Sequence, residues 1–188
     1  RIYIPSRVAD NASLGASYVA QIKASGSPQL VKAWLEGDWS IIAGAFFPEF
    51  SMERHVVAPM ALPAHWTRFR ACDWGSARPF SVGWYAVSDG ELPQFPRGAL
   101  VRYREWYGTT GQPNEGLRLT AEEVADGIKQ RDGDDRISYG VIDPAAFAVD
   151  GGPSIAEMMS RRGIHWRPAD NKRVTQRGAM GGWDQVRA

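Results

Sequence analysis

A single cysteine, Cys72, rules out any internal disulfide, and the default setting for such a chain is reducing and cytoplasmic. The longest apolar run, Ile41 to Phe47, falls far short of the roughly 20 residues that span a bilayer, so no membrane partner is expected. No secretory signal is visible, and a chain that begins at Arg1 instead of Met reads as a fragment. An excess of charge is also missing. The 22 basic and 21 acidic residues leave a formal +1, so any nucleic-acid footprint must be a local patch. The three histidines, His55, His65 and His165, share no metal-ligand spacing and read as structural or exposed. Ser6, Ser76 and Ser81 have no His/Asp context that would make a nucleophile.

Apolar residues are plentiful. A hydrophobic share of 44% over 188 residues suffices for one good-sized domain with an appendage, and the eight tryptophans read mostly as core. Arg1 to Pro5 reads as a short strand, Ser6 to Gly15 as a loop, and Ser17 to Ala24 as a helix with Tyr18 and Ile22 on one face. A second helix is expected from Ser27 as N-cap and Pro28 in the first turn, with Leu30, Val31, Trp34 and Leu35 at helical spacing and Gly37 as its stop. Asp38 to Trp66 carries no strong period and reads as an extended segment. Residues 1–66 therefore look like an appendage or linker, and 67–188 like the domain proper.

From Arg68 onward the period changes to two. Arg68 to Asp73 alternates, with Phe69, Ala71 and Asp73 on what reads as the more apolar side. Phe80, Val82, Trp84 and Ala86 share one face of a second strand, and Leu100 to Tyr107 forms a third, so an antiparallel meander is expected. Thr120-Ala121-Glu122-Glu123 is a capping box that opens a helix running to about Gln130. Asp132, Asp134 and Asp135 around Gly133 lack the other ligands of a calcium loop and read as a solvated turn. A strand ending at Asp143, a helix starting near Pro153 and stopped by Gly163, and a short strand from Ile164 to Arg167 complete the order. The expected class is α/β, a mixed sheet flanked by helices.

Two strands end in an aspartate, Asp73 and Asp143. Asp73 also has a structural reading, a carboxylate capping the turn that follows. Together the two suggest a shared acidic site on one sheet. Hard divalent cations such as Mg²⁺ and Mn²⁺ take carboxylate and water oxygens, so aspartates suit them and Cys72 does not. Glu105, in phase with Val101 and Tyr103, is an auxiliary candidate or an edge carboxylate paired with Arg102 or Arg104.

The order of elements, with an aspartate closing the first and fourth strands, resembles the ribonuclease H-like nuclease fold. The wording adds to this. Tyr3 to Asn11, Leu35-Glu36-Gly37-Asp38-Trp39, Asp73-Trp74-Gly75 and Pro79-Phe80 resemble the large terminase subunit of tailed bacteriophages. That resemblance implies an ATPase region followed by a nuclease. With no Gly-x-x-x-x-Gly-Lys-Ser/Thr loop, no ATP site is expected here, and residues 1–66 match the tail of the ATPase region and the linker. By the same resemblance Asp73 and Asp143 match two metal-binding acids of a two-metal, Mg²⁺- or Mn²⁺-dependent endonuclease. The third acid has no clear counterpart beyond Asp170 and Asp184 in the tail, so the domain reads as truncated at its C-terminus. The implied partners are double-stranded DNA, the portal, the small terminase subunit and the procapsid, in the cytoplasm of a bacterial host. Arg161, Arg162, Lys172 and Arg173 are candidates to track a DNA backbone, or else a solvated helix face and tail. The alternatives are a non-catalytic docking fragment and another ribonuclease H-like enzyme of resolvase or transposase type.

Overall fold

The computed structural model describes residues 7–11, 13–25, 28–37, 47, 49–172 and 180–187. The expected strand at Arg1 to Pro5, the Ser27 cap and Arg173 lie outside them. The chain divides into two compact units at Ala58/Pro59. The first carries α1 (Ala16–Ser25), α2 (Pro28–Glu36) and a single-turn helix, α3 (Met52–His55). The aperiodic stretch gave no sign of α3, which Ser51 caps by accepting a hydrogen bond from the Arg54 amide.

The second unit is built on a five-stranded mixed sheet of order β3-β2-β1-β4-β5, made of β1 (Thr67–Asp73), β2 (Ser81–Val87), β3 (Leu100–Tyr107), β4 (Ile137–Ile142) and β5 (Arg167–Pro168). β1, β2 and β3 form the expected antiparallel meander. β4 then returns beside β1, parallel to it, and β5 lies parallel to β4. Between the strands run α4 (Ala121–Asp132) and α5 (Ile155–Arg161), and α6 (Gly182–Arg187) follows β5. This is the architecture of the ribonuclease H-like nuclease fold.

One face of the sheet and both crossover helices bury the main core: Phe80, Val82 and Trp84 against Val124, Ala125 and Ile128 of α4, with Ile142 and Met159 alongside. The alternation read in β2 is met in full, since Val82, Trp84 and Ala86 are fully buried. α4 starts at the predicted capping box. The Thr120 hydroxyl accepts from the Glu123 amide, and the Glu123 carboxylate accepts from Thr120 N at 2.8 Å. Such a cap contributes about 1 kcal/mol. Gly127 in mid-helix costs about 1 kcal/mol relative to alanine. It is required because a Cβ there would lie 2.2 Å from the Trp106 ring.

Two sequence expectations are corrected. First, the core face of β1 carries Arg70 and Cys72, while Phe69, Ala71 and Asp73 lie on the opposite face. There Phe69 stacks between Tyr85 and Tyr139, with ring centroids 5.2 and 5.1 Å away. Arg70 can face the core because Asp132 meets it at 2.7 Å, and Asp132 also accepts from the Trp84 indole at 2.8 Å. Asp135 takes Arg68, Arg104 and the Tyr103 hydroxyl. The acidic turn after α4 is therefore a part-buried charge network, not a solvated loop. Second, Glu105 is out of phase with Val101. A bulge between the Trp84 and Tyr85 pairs leaves Tyr103 as the extra residue, so Val101 pairs with Ala86 on the core face while Glu105 pairs with Gly83 on the other.

Candidate active site at the carboxyl edge of the sheet

β1 and β4 run parallel, and after a one-residue shift beyond the Arg68–Ile137 pair their register is unbroken from Phe69–Tyr139 to Cys72–Ile142. Asp73 and Asp143 are the next residues on each, so two carboxylates emerge side by side at the same edge of adjacent strands. Neighbouring strands are about 4.8 Å apart, a spacing that lets two aspartates share a cation or a pair of cations. Asp143 is half-buried and fixed. It caps the 3₁₀ turn Pro144–Phe147, with Oδ1 accepting from the Ala145 amide at 2.8 Å. That single bond leaves its other oxygen for a ligand. Asp73 is exposed. Its position is held by its neighbours: Cys72 below it is buried, and Trp74 after it packs on the core. Burial first, and then the Asp73 carboxylate, push the Cys72 thiol up to about 12, with Arg70 opposing. Cys72 is a small core residue and not a nucleophile.

The loops at this edge are tightly packed. Gly75 sits where a Cβ would lie 2.5 Å from the Arg78 carbonyl oxygen and 2.7 Å from that of Pro79. The β1–β2 loop is bound to the β3–α4 loop through Gly116 N to Ala77 O at 2.9 Å and Arg118 N to Ser76 O at 3.1 Å. After β5, the Ala169 amide donates to Ile142 O at 2.8 Å, so Asp170 follows at the same edge; its Oδ1 accepts from Lys172 N at 3.1 Å. Asp184 lies on α6.

The other sequence candidates are not brought to Asp73. Glu105 shares its sheet face but is two strands away, and it pairs with Arg102 at 3.1 Å. Arg161 pairs with Glu157 at 2.7 Å and Arg162 with Asp126 at 3.6 Å. Both lie at the C-terminal end of α5, which runs back from this edge between the parallel strands β4 and β5. Lys172 is exposed beyond β5.

Among the described residues no third ligand converges on Asp73 and Asp143. The one three-ligand grouping among them is His65, Asp89 and Glu91, whose ligand atoms lie within 4.8 Å of one another. Sequence spacing hid it because the histidine precedes β1 and the acids follow β2, so they meet only beyond the terminal Thr67–Val87 pair of the two antiparallel strands. His65 Nε2 is 2.8 Å from Asp89 and 3.2 Å from Glu91, and the Trp66 indole donates to Asp89 at 3.0 Å. This grouping lies at the far end of β1, roughly 20 Å from Asp73 at about 3.3 Å per residue. It forms no part of the paired-aspartate edge.

No family model matches the sequence, and no curated protein matches it. Solved structures do resemble the fold. A large terminase from a thermophilic bacteriophage superposes with a TM-score of 0.53 at 17% identity, covering 87% of this chain and 38% of that one. The P22 large terminase nuclease domain gives 0.53 at 15% identity, covering 77% of this chain and 67% of that domain. This chain thus spans well under half the length of the thermophilic phage terminase. At these identities the likeness is one of fold.

Proposed function

We propose that residues 67–188 are the metal-dependent endonuclease domain of a phage DNA-packaging terminase, and that residues 1–66 are the tail of its ATPase region and the linker. In this reading Asp73 and Asp143 hold Mg²⁺ or Mn²⁺, and double-stranded DNA is the substrate. The observation that carries it is the pair of aspartates ending adjacent parallel strands, in a sheet whose fold terminase nuclease domains share. The donor chemistry fits: both are oxygen ligands, one already oriented by a backbone amide, and the only thiol nearby is buried and protonated. Divalent cations bound there supply charge neutralisation at the scissile phosphate and acidify an attacking water. The chain's own contribution is orientation. The Asp143 cap fixes one carboxylate, and the Trp74 anchor and the Gly75 contact fix the end of the strand that carries the other. Asp170, which follows the Ala169 amide bonded to Ile142 at the same edge, is a candidate for a third ligand. The portal, small terminase subunit and procapsid are the partners this role entails, in the cytoplasm of the bacterial host.

A second reading has a specific observation in its favour. Without a third converging carboxylate among the described residues, the chain on its own could serve as a DNA- or partner-docking fragment. Nicking of supercoiled plasmid in Mn²⁺ separates the two. Cleavage by the chain that is lost in Asp73→Asn and Asp143→Asn supports the nuclease. Cleavage that survives both substitutions refutes the site, and no cleavage together with no Mn²⁺ binding favours docking.

A further inference from the structure

The loops beside Asp73 carry two arginines that the proposed chemistry has not used. The β1–β2 and β3–α4 loops leave the sheet at the same edge as Asp73 and are fused by the Gly116–Ala77 and Arg118–Ser76 hydrogen bonds. A Cβ on Gly116 would lie 2.2 Å from the Ser76 carbonyl oxygen, so the two backbones meet with no room for a side chain between them. Arg78 and Arg118 sit on this bridge, both exposed. Among the described residues neither has an ion-pair partner, whereas Arg161, Arg162 and Arg102 each have one. Arg118 also holds φ at +58°, and only one other non-glycine residue among those described, Asn114, has a positive φ. That conformation is strained for an arginine and free for a glycine. The bridge therefore holds a long cationic side chain, at a cost in backbone energy, at the same edge of the sheet as an exposed carboxylate.

We infer that Arg78 and Arg118 are positioning residues that hold backbone phosphates of duplex DNA across the Asp73–Asp143 edge, and that Arg161 and Arg162 are not. This rests on the nuclease reading above and assigns its substrate contacts. A guanidinium on a rigid loop suits a phosphate, because little further order is lost when the contact forms.

The test is fluorescence anisotropy of a labelled duplex with the full chain in EDTA, between about 50 and about 200 mM salt, where the slope of affinity against salt counts neutralised phosphates. Arg78→Ala and Arg118→Gly are each expected to reduce that slope by about one. Each should weaken binding about eightfold at about 0.1 M salt, as a slope of roughly 0.9 per phosphate requires. Arg161→Ala and Arg162→Ala should leave the slope unchanged, and Arg78→Lys should restore most of it. Arg118→Gly relieves the backbone strain, so its thermal midpoint should not fall. A purely structural role predicts no loss of DNA affinity in a variant of equal or greater stability. Wild-type slopes in Arg78→Ala and Arg118→Gly would overturn the inference while leaving the nuclease reading intact, and so would a slope carried by Arg161 and Arg162. Absence of DNA binding by the unmodified chain would overturn both.

Discussion

Replacing Asp132 by alanine is the most informative perturbation of the sheet. The Arg70 side chain is 7% exposed and Asp132 17%, with 2.7 Å between Nη1 and Oδ2. Arg70 Nε is buried without a partner, so the guanidinium relies on this carboxylate and on the face of Trp166, 5.3 Å away. Burial lowers the Arg70 pKa and Asp132 opposes that shift. An arginine does not give up its proton in a protein, so with Asp132 gone the penalty appears as lost stability. Breaking a buried pair from one side costs about 3–5 kcal/mol, and this includes the Trp84 indole left without its acceptor. With a urea dependence of about 2 kcal/mol per molar, the midpoint should fall by about 2 M at unchanged slope. The joint change Arg70→Met with Asp132→Leu removes both charges and should cost far less than Asp132→Ala alone. Urea melts followed by tryptophan fluorescence read both. A loss below about 1 kcal/mol in Asp132→Ala, or a double variant as damaged as the single one, would refute the pairing.

Further outcomes follow from the same geometry. Gly75→Ala puts a Cβ 2.5 Å from the Arg78 carbonyl oxygen and must move the loop that leaves the strand at Asp73. Cleavage in a plasmid assay should drop about a hundredfold, the scale of a displacement near 1 Å, and wild-type activity would contradict the packing. Cys72, with its thiol at about 12, is expected to resist iodoacetamide at pH 8 in the native state and to react only as fast as the chain unfolds. Rapid native labelling, followed by mass spectrometry, would place it elsewhere. The Asp89 carboxyl is held below its usual range by the Glu91 amide first and then by His65. A lowered folded-state value gives stability that is present above the unfolded value of about 3.9 and lost as pH falls through the folded one. Asp89→Asn should therefore flatten the acid limb of a stability–pH curve, and an unchanged limb would show that the contact is not maintained in solution.

Much of the sheet was legible because its signals are local. The β2 alternation and the Thr120 box each involve residues within a few positions of one another, and each appears where the pattern placed it. The failures share a cause. Arg68 and Arg70 made one side of β1 read as polar because their partners, Asp135 and Asp132, lie 67 and 62 positions along the chain. His65 and Asp89 are 24 positions apart. The phase of Glu105 was lost to a single extra residue in β3, which period-two reading cannot locate without the partner strand.

The misread arginines also explain how the candidate site is assembled. Two aspartates at strand ends make a site only if the strands are neighbours, and chain order alone would as readily put β4 outside β3. The ion pairs supply the missing constraint. Arg70 and Arg68, near the start of β1, bind Asp132 at the last turn of α4 and Asp135 just beyond it. Only Arg136 then separates this anchor from β4, so β4 must begin beside β1, and Arg68 pairs with Ile137. One extra residue, Ser138, follows in β4, and from the Phe69–Tyr139 pair onward the register runs unbroken to Cys72–Ile142 and delivers Asp73 next to Asp143. A charge network at one end of the sheet thereby fixes the spacing of the carboxylates at the other. Asp132 should accordingly matter to metal binding at a site it never touches: any Asp132→Ala protein that remains folded should bind Mn²⁺ more weakly than the wild type, and unchanged Mn²⁺ affinity would show that the strands find their register without the ion pairs.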